Sequence, residues 1–557
     1  MANSELEKWI EQFRKQFKAL PDSPVFEISP SEELMLPMDD GIALRTIVNK
    51  PNIPGSLPTI IVRTCYPHME RMQAIYAEEF CKRGFAYVYQ FCRGTGGSQG
   101  EWQPNVNERA DGKCTLDWLD AQGWVESIGY LGSSYLALTG WAVADILPPK
   151  VKTMYLTHYG TDRFTSAYKN GLFRQDILTS WAMGNAGFSI TADYTESASY
   201  RPQINVDENL WGKKLDWYRD WITNTESTDP YWQDGFWKLL SEIPSKVNVP
   251  VYIGAGWYDH HLGSALKTWE KLSEESKKQS VLRIGAWNHG FMPCVEGIEA
   301  AHLENNDVRT AYDWFNEILR KNQTSMNGIN VYLIGADKWK NVKEYPFKPA
   351  NETVLYLSDN TLETSTPEHS GSRTYKYNPD DPLIVHGAES LFASMKSVGS
   401  FPQPECDYRS DVLSFVSAPM KEEMDVLGKI TVDLFVASDA EDTAFSARIM
   451  EVRDGVAYNI RGSINTLAFR DSEKRKQYKP GEVVKITIDM WDIAWRFQKG
   501  SQIRLDISSS CFPEYAAHTN YAGVWSLQEK AKIANQTIFY GGLYLSQISL
   551  PRLGMPL

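Results

Sequence analysis

Cysteine is scarce in this sequence of 557 residues, which contains seven cysteines and no CxxC pair. Disulfide-stabilised extracellular domains and structural zinc sites depend on more cysteines, or on closely paired ones. Long apolar runs are missing too, both near the N-terminus, where a signal peptide would need one, and elsewhere, where a membrane span needs about 18 residues. We therefore expect a cytoplasmic protein with no membrane partner.

The sequence also lacks an excess of basic residues. Lys and Arg together number 57 against 70 Asp and Glu, which gives a formal net charge of −13. An acidic surface disfavours non-specific binding to nucleic acid, so we expect no nucleic-acid partner. A disordered chain is excluded as well, because 42% of the residues are hydrophobic and 12% are aromatic.

Motifs for cofactors and metals are absent. The glycine-rich segment 93–100 has neither the Gly-Lys-Ser/Thr of a phosphate-binding loop nor the spacing of a dinucleotide motif. His260 and His261 follow Asp259, but no HExxH or similar arrangement accompanies them. We predict no cofactor and no metal, and we interpret segment 93–100 as a structural loop beside the functional site.

Four patterns divide the chain. Residues 1–24 predict an amphipathic helix whose apolar face packs on its own chain or on a sister subunit, which leaves a homo-oligomer open. Strand-like and helix-like runs alternate over 25–149 and 241–349, as in an α/β core with a mostly parallel sheet. Residues 150–240 are rich in Trp and Tyr and predict a helical cap. Period-two alternation over 350–557 predicts an antiparallel β-sandwich.

A Gly-x-Ser turn follows the predicted strand that ends near residue 131. Ser134 has Gly132 two residues before it, and a small residue there lets the backbone bend sharply at a nucleophile elbow. Ser133 would have Leu131 in that place, so Ser134 is the better candidate. The match to G-x-S-x-G is incomplete, because Leu136 stands where the second glycine would be. A helix-capping turn is the alternative interpretation.

A serine needs a base and an orienting acid to act as a nucleophile. Asp259 follows a short apolar run at 251–258, and His289 follows another at 281–288. The chain order Ser, acid, His is that of α/β-hydrolases, and open α/β sheets build their sites at the carboxyl ends of strands. The backbone N–H of Tyr135 and the hydroxyl of Tyr66, on the loop after an early strand, are candidate oxyanion donors.

These residues together give the chain a resemblance to the family of cocaine esterase, X-prolyl dipeptidyl-peptidase, α-amino-acid ester hydrolase and glutaryl acylase. The matching segments are 38–41 with Leu44, 63–66, 93–94, 97–100, Glu108, 111–112, 117–119, Gln122, Trp124, 132–135, 256–259, 287–289, 500–507 and 510–513. The resemblance implies an α/β-hydrolase core, an inserted helical cap and a C-terminal jelly roll. It also implies a triad of Ser134, Asp259 and His289, with Tyr66 and the Tyr135 amide as the oxyanion hole.

Substrate choice is less clear from the residues. The amino-ester hydrolases place acidic residues after the catalytic Asp to hold an α-ammonium group, whereas His261 and Leu262 stand there in this sequence. We expect a small-molecule ester with an apolar or aromatic acyl group, contacted by Trp181, Trp257 and His261. Cleavage of an amide or peptide bond is the alternative, and a non-catalytic binding protein on this scaffold is another.

Overall fold

The computed structural model describes residues 10–11, 14–22, 24–290, 294–303, 307–389 and 397–554. Half of the predicted N-terminal helix (residues 1–24) lies outside these residues. In its described part, Ile10, Phe17 and Leu20 are buried, and the ring of Phe17 lies 5.2 Å from that of Tyr76. These apolar side chains thus pack against their own chain.

A ten-stranded sheet forms the centre of the first domain. Its strands are β1 (Glu32–Pro37), β2 (Ala43–Asn49), β3 (Leu57–Thr64), β4 (Ala86–Phe91), β5 (Val125–Ser133), β6 (Val151–Thr157), β9 (Val251–Tyr258), β10 (Val281–Asn288), β11 (Gly328–Leu333) and β12 (Lys338–Val342). The order is β1-β2-β4-β3-β5-β6-β9-β10-β11-β12. The seven strands from β4 to β11 in this order pair in parallel, and antiparallel strands complete both edges. β3, β4 and β9 are buried along their whole length, as expected for strands covered by helices on both faces.

Helices connect and cover these strands. Those with α-helical geometry are Glu70–Lys82, Glu108–Asp120, Tyr135–Trp141, Arg163–Ala167, Gln175–Gly184, Tyr194–Ser199, Asp216–Thr223, Pro230–Gln233, Gly235–Glu242, Leu262–Lys271, Glu274–Lys277 and Asp307–Phe315. The cap boundary predicted at residue 150 lies later in the structure. β6 belongs to the sheet and pairs with β5 and β9, so the chain leaves the sheet after Thr157. The cap is mostly short helices, with a small hairpin of β7 (Tyr168–Lys169) and β8 (Leu172–Phe173).

The remaining chain forms a second, twelve-stranded sheet, almost entirely antiparallel. Its strands are β13 (Asn351–Ser358), β14 (Thr361–Glu363), β15 (Gly371–Tyr377), β16 (Pro402–Gln403), β17 (Leu413–Ser417), β18 (Met424–Ser438), β19 (Ala444–Arg453), β20 (Val456–Thr466), β21 (Val484–Phe497), β22 (Gln502–Ser508), β23 (Ala534–Tyr540) and β24 (Gln547–Arg552). Buried and more exposed residues alternate along β18, so one face packs into a core. The α/β core with a C-terminal all-β domain confirms the predicted fold class.

The cap contacts this β domain as well as the core. Lys169, on the cap hairpin, places its Nζ 2.8 Å from a carboxylate oxygen of Asp489 on β21. Within the described part of the chain, no helix combines the length and the apolar character needed to cross a bilayer.

Candidate active site

Ser134 occupies a sharp turn between β5 and the helix Tyr135–Trp141. Its φ of 57° is uncommon for a residue other than glycine. Gly132 permits this turn, because a Cβ there would lie 2.2 Å from the carbonyl oxygen of Leu136. The turn therefore explains why a glycine precedes the serine by two positions, and it places the serine hydroxyl at the carboxyl edge of the sheet.

The neighbouring Ser133 has a different environment. Its Oγ lies 3.5 Å from Nδ1 of His158, a buried residue directly after β6. The hydroxyl of Ser134, by contrast, lies 2.9 Å from Nε2 of His289. The two adjacent serines thus contact different histidines, and Ser134 is the one beside the predicted base.

His289 and Asp259 come from the ends of neighbouring parallel strands. Asp259 follows β9, His289 follows β10, and Nδ1 of His289 lies 3.2 Å from Oδ1 of Asp259. An imidazole that carries its proton on Nδ1 can donate to Asp259 and accept from Ser134 at once. The structure therefore brings the three predicted residues together in the order Ser, His, Asp.

Asp259 is fully buried, and histidines surround it. Burial opposes its ionisation, but the charge and hydrogen bond of the facing His289 hold the pKa of this carboxyl well below its usual range. Oδ1 also accepts a hydrogen bond of 2.8 Å from the backbone N–H of His261, and Oδ2 lies 3.7 Å from Nε2 of His158. The carboxylate is thus held as an anion in a fixed orientation.

Three of these histidines stay neutral. Burial lowers the pKa of His158 to about 3 and lowers the pKa values of His260 and His261 well below the usual value. Nδ1 of His261 lies 2.8 Å from the hydroxyl of Ser166 on the first cap helix, which fixes its ring. These rings therefore contribute dipoles and hydrogen bonds to the site rather than positive charge.

The two candidate oxyanion donors, the Tyr66 hydroxyl and the Tyr135 N–H, both lie close to Ser134. Tyr66 follows β3, and its hydroxyl accepts a hydrogen bond of 3.0 Å from the indole N–H of Trp181. Its own proton is therefore available to another acceptor. Burial raises the pKa of the Tyr66 hydroxyl well above its usual value, so this group keeps that proton. The backbone N–H of Tyr135 opens a helix and has no acceptor within it.

Segment 93–100 is tied to the core by an arginine. Arg93 forms ion pairs with Asp111, at 2.7 Å, and with Asp40. Farther along the same connection, the backbone N–H of Asn105 donates to the hydroxyl of Tyr135 at 2.8 Å. The loop thus braces the helix that follows Ser134.

A pocket lies over Ser134 and His289. Its cap wall is mainly apolar and comprises Tyr159, Arg163, Ile177, Leu178, Trp181 and Trp221. Of the residues predicted to contact substrate, Trp181 and His261 line this pocket. Trp257 does not: it is fully buried, and its indole N–H donates to the carbonyl of Tyr332. We correct that expectation, since Trp257 lies within β9 and packs inside the protein.

Asp259, His260 and His289 could also be considered as metal ligands, because one ligand atom of each lies within 4.8 Å of the others. The donor set fits a metal poorly. Both ring nitrogens of His289 already face protein partners, Ser134 on one side and Asp259 on the other.

Sequence reasoning missed two residues of the site. His158 directly follows β6, and recognising residues 151–157 as a strand would have placed His158 at the carboxyl edge with the other candidates. Arg163 lines the pocket from the first cap helix. No motif or spacing distinguishes it from the other arginines.

Comparisons with known proteins agree with this geometry. Residues 40–291 match the family described as X-Pro dipeptidyl-peptidase (S15 family), and residues 321–548 match the X-Pro dipeptidyl-peptidase C-terminal non-catalytic domain. The protein is thus a hydrolase, and the class to which it belongs is that of the serine hydrolases. More particularly, the chain belongs to the cocaine esterase and X-Pro dipeptidyl-peptidase family.

Individual relatives span nearly the whole chain. Cocaine esterase of Rhodococcus sp. (strain MB1 Bresler) is 27% identical over 571 aligned positions, which cover 94% of this chain and 98% of that protein. An α-amino acid ester hydrolase structure superposes with a TM-score of 0.82 at 19% identity and covers 96% of this chain and 100% of its own. An aminopeptidase from a marine sediment archaeon, Thaumarchaeota archaeon, gives 0.81 at 20% identity and covers 96% and 98%. At these identities the two structures establish the fold alone.

Proposed function

We propose that this protein hydrolyses carboxylic esters through an acyl-enzyme formed on Ser134. The observation that carries the proposal is the contact of 2.9 Å between the Ser134 hydroxyl and Nε2 of His289, which in turn contacts Asp259 at 3.2 Å. A serine on an elbow, a base within hydrogen-bonding distance and a buried carboxylate are the parts that acyl transfer needs.

In the first half of the reaction, the Ser134 oxygen attacks the ester carbonyl as Nε2 of His289 takes the hydroxyl proton. The negative charge that develops on the carbonyl oxygen is stabilised by the Tyr66 hydroxyl and the Tyr135 N–H. The C–O bond to the alcohol then breaks, and His289 returns the proton to the departing alkoxide. Asp259 stabilises the imidazolium in between.

In the second half, a water molecule attacks the acyl-enzyme. His289 removes a proton from this water and donates it to Ser134 as the acid departs. The reaction consumes one ester and one water and gives one acid and one alcohol. No other group is required.

The pocket favours acyl groups that are apolar or aromatic. Its cap wall contains Ile177, Leu178, Trp181 and Trp221, which supply contact area for a hydrocarbon chain or ring. Among the described residues that line it there is no carboxylate to pair with a substrate ammonium. A free α-amino group would lose hydration there without gaining a counter-charge, so neutral esters should be better substrates than amino esters or dipeptidyl amides.

The test is labelling with a fluorophosphonate, followed by mass mapping of the modified residue. Wild-type protein should be labelled at Ser134, and Ser134→Ala should be unlabelled and lose activity by about 10⁴-fold or more. Ser133→Ala is the matched control, because its hydroxyl faces His158, and it should be labelled normally. Labelling that persists in Ser134→Ala would refute the nucleophile.

A substrate panel separates the ester from the amide interpretation. We expect para-nitrophenyl esters of benzoic and branched aliphatic acids to be cleaved with higher kcat/KM than an Ala-Pro para-nitroanilide. A higher kcat/KM for the anilide than for every neutral ester would assign the protein to peptide hydrolysis instead.

A further inference from the structure

Arg163 is the one permanently charged side chain among the described residues that line the active-site pocket. It begins the first cap helix, is only 9% exposed, and lines both this pocket and a larger groove between the cap and the β domain. The proposed reaction does not use it, since neither Ser134, His289 nor the oxyanion donors contact it. A buried cation in this position calls for a functional explanation.

Aromatic rings cover the faces of the guanidinium of Arg163, but its N–H edge meets no carboxylate among the described residues. Its central carbon lies 4.6 Å from the ring centre of Trp221 and 5.8 Å from that of Trp237. Nε is buried and makes no hydrogen bond. The guanidinium does contact the hydroxyl of Tyr159, which is a neutral group and supplies no counter-charge. Stacking stabilises a guanidinium, but it cannot replace acceptors for the N–H groups in its plane.

Other buried arginines of the same protein are arranged differently. Arg63 lies 3.1 Å from a carboxylate oxygen of Glu108, and Arg461 pairs with Glu389. Both are fully buried, and each has its counter-charge within the fold. Arg163 alone of these three faces a cavity instead of a carboxylate.

The charges of the residues that line the pocket also indicate a site for an anion. His260 and His261, which also line it, are held neutral by burial, which lowers their pKa values. Arg163 therefore sets the sign of the potential at that end of the pocket. A bound anion would supply the acceptors and the counter-charge that the protein does not provide.

Starting from the proposed ester hydrolysis, we propose that Arg163 is the anion-binding end of the substrate pocket, and that the preferred substrate is an ester bearing a carboxylate remote from its scissile carbonyl. The planar guanidinium suits a carboxylate, which can accept two parallel N–H bonds.

The space between Arg163 and Ser134 fits an apolar spacer. Trp221, on which Arg163 stacks, lies 5.8 Å from Trp181, and Trp181 stacks at 5.8 Å on Tyr135, the residue after the nucleophile. A row of three aromatic rings thus connects the cation with the reaction centre. The substrate this describes has an aliphatic or aromatic middle and a carboxylate at its far end.

The experiment compares para-nitrophenyl esters of one chain length and three charges: hexanoate, the half-ester of adipate, and ω-aminohexanoate. A fourth ester, para-hexanoyloxybenzoate, carries the carboxylate on the alcohol side instead. The neutral counterpart of the adipate half-ester is para-nitrophenyl hexanoate, and that of para-hexanoyloxybenzoate is phenyl hexanoate. We expect wild-type kcat/KM to be about tenfold higher for one of the two carboxylate esters than for its neutral counterpart. The ammonium ester should have the lowest kcat/KM. The carboxylate ester with the higher kcat/KM relative to its neutral counterpart identifies the side of the scissile bond, acyl or alcohol, on which Arg163 acts.

The variant Arg163→Gln should remove this preference, so that the ratio of carboxylate to neutral kcat/KM falls by about tenfold, to near 1, which is close to the lower end of the range for a hydrogen bond to a charged group. Arg163→Lys keeps the charge without the planar fork and should retain part of the ratio. Lys238→Gln, which removes an exposed cap cation outside the pocket, is the matched control and should leave the ratio unchanged.

Two results would overturn the inference: no carboxylate preference in the wild type, or a preference that Arg163→Gln leaves intact. The wild-type series decides the first even if the variant does not fold. Failure of the proposed function looks different, because the wild type would then cleave none of the esters and Ser134 would not react with the fluorophosphonate.

Discussion

The carboxyl edge of the ten-stranded sheet and the cap that covers it are held in place in different ways. Each candidate catalytic side chain follows a strand directly, Ser134 after β5, Asp259 after β9 and His289 after β10. The cap wall rests on short helices and ring contacts, such as that of Trp181 with Trp221. A ladder of hydrogen-bonded parallel strands holds the edge, whereas side-chain packing between short helices holds the cap wall. Substitutions at the carboxyl edge of the sheet should therefore lower kcat strongly, whereas substitutions in the cap should change substrate selectivity.

After loss of the nucleophile Ser134 itself, the largest of these effects is expected at Tyr66. Tyr66→Phe removes only a hydroxyl, so kcat on the best ester should fall by about 10²- to 10³-fold with little change in KM, because the donor acts mainly in the transition state. Steady-state kinetics on a neutral ester check this. A variant with near-normal kcat would show that the edge of the sheet does not supply this donor.

A second prediction concerns His158, which supports the edge without touching substrate. Its pKa is lowered to about 3 by burial, against about 6.5 in an unfolded chain. The unfolded state therefore binds one more proton between these values. Stability should be fully present above pH 6.5 and should fall below it by about 1.4 kcal/mol per pH unit from this residue, until pH approaches 3.

Urea unfolding at a series of pH values measures that slope. Below pH 6.5, the free energy of unfolding of His158→Gln should fall less steeply with decreasing pH than that of the wild type. The variant His302→Gln, which removes an exposed histidine far from the site, should show the wild-type slope. Equal slopes for the wild type and His158→Gln would contradict a neutral, buried His158.

A smaller effect is expected where the cap meets the edge. Trp181→Phe keeps an aromatic wall but removes the N–H that bonds to Tyr66 at 3.0 Å. We expect kcat to fall about fivefold, since one neutral hydrogen bond contributes about 1 kcal/mol. The Trp181→Phe, Tyr66→Phe double variant provides the control: if the indole acts through Tyr66, it should be no worse than Tyr66→Phe alone.

No effect at all is expected from a chelator. Both nitrogens of His289 face protein groups, so the cluster with Asp259 and His260 should function without a metal. Activity measured after dialysis against EDTA should equal that before it. Activity lost on dialysis and restored specifically by zinc or manganese would assign this cluster to metal-dependent chemistry.

Much of the fold was predictable because periodicity differs between its parts. Period-two alternation in β18 and β21 marked the β domain, and strands followed by polar residues marked Asp259 and His289. β6 was missed because Lys152 and Thr153 interrupt its apolar residues and an aromatic-rich segment follows. Trp257 was misassigned because its proximity to Asp259 in sequence does not determine the direction of its side chain. Arg163 could not be predicted from the sequence, because its importance depends on the absence of a carboxylate partner in the folded cap.

The correction at β6 has a consequence for engineering. β6 and β9 are hydrogen-bonded neighbours, paired from Met154 with Val251 to Thr157 with Gly254, and the cap is the connection between them. The cap begins after β6 and ends before β9, so the pairing of these two strands fixes both of its attachment points. Loop-closure entropy grows only slowly with length, so such a connection tolerates replacement by a longer or shorter one. We therefore expect that residues 159–250 can be exchanged between relatives as one unit that carries substrate selectivity, while the strand order stays the same.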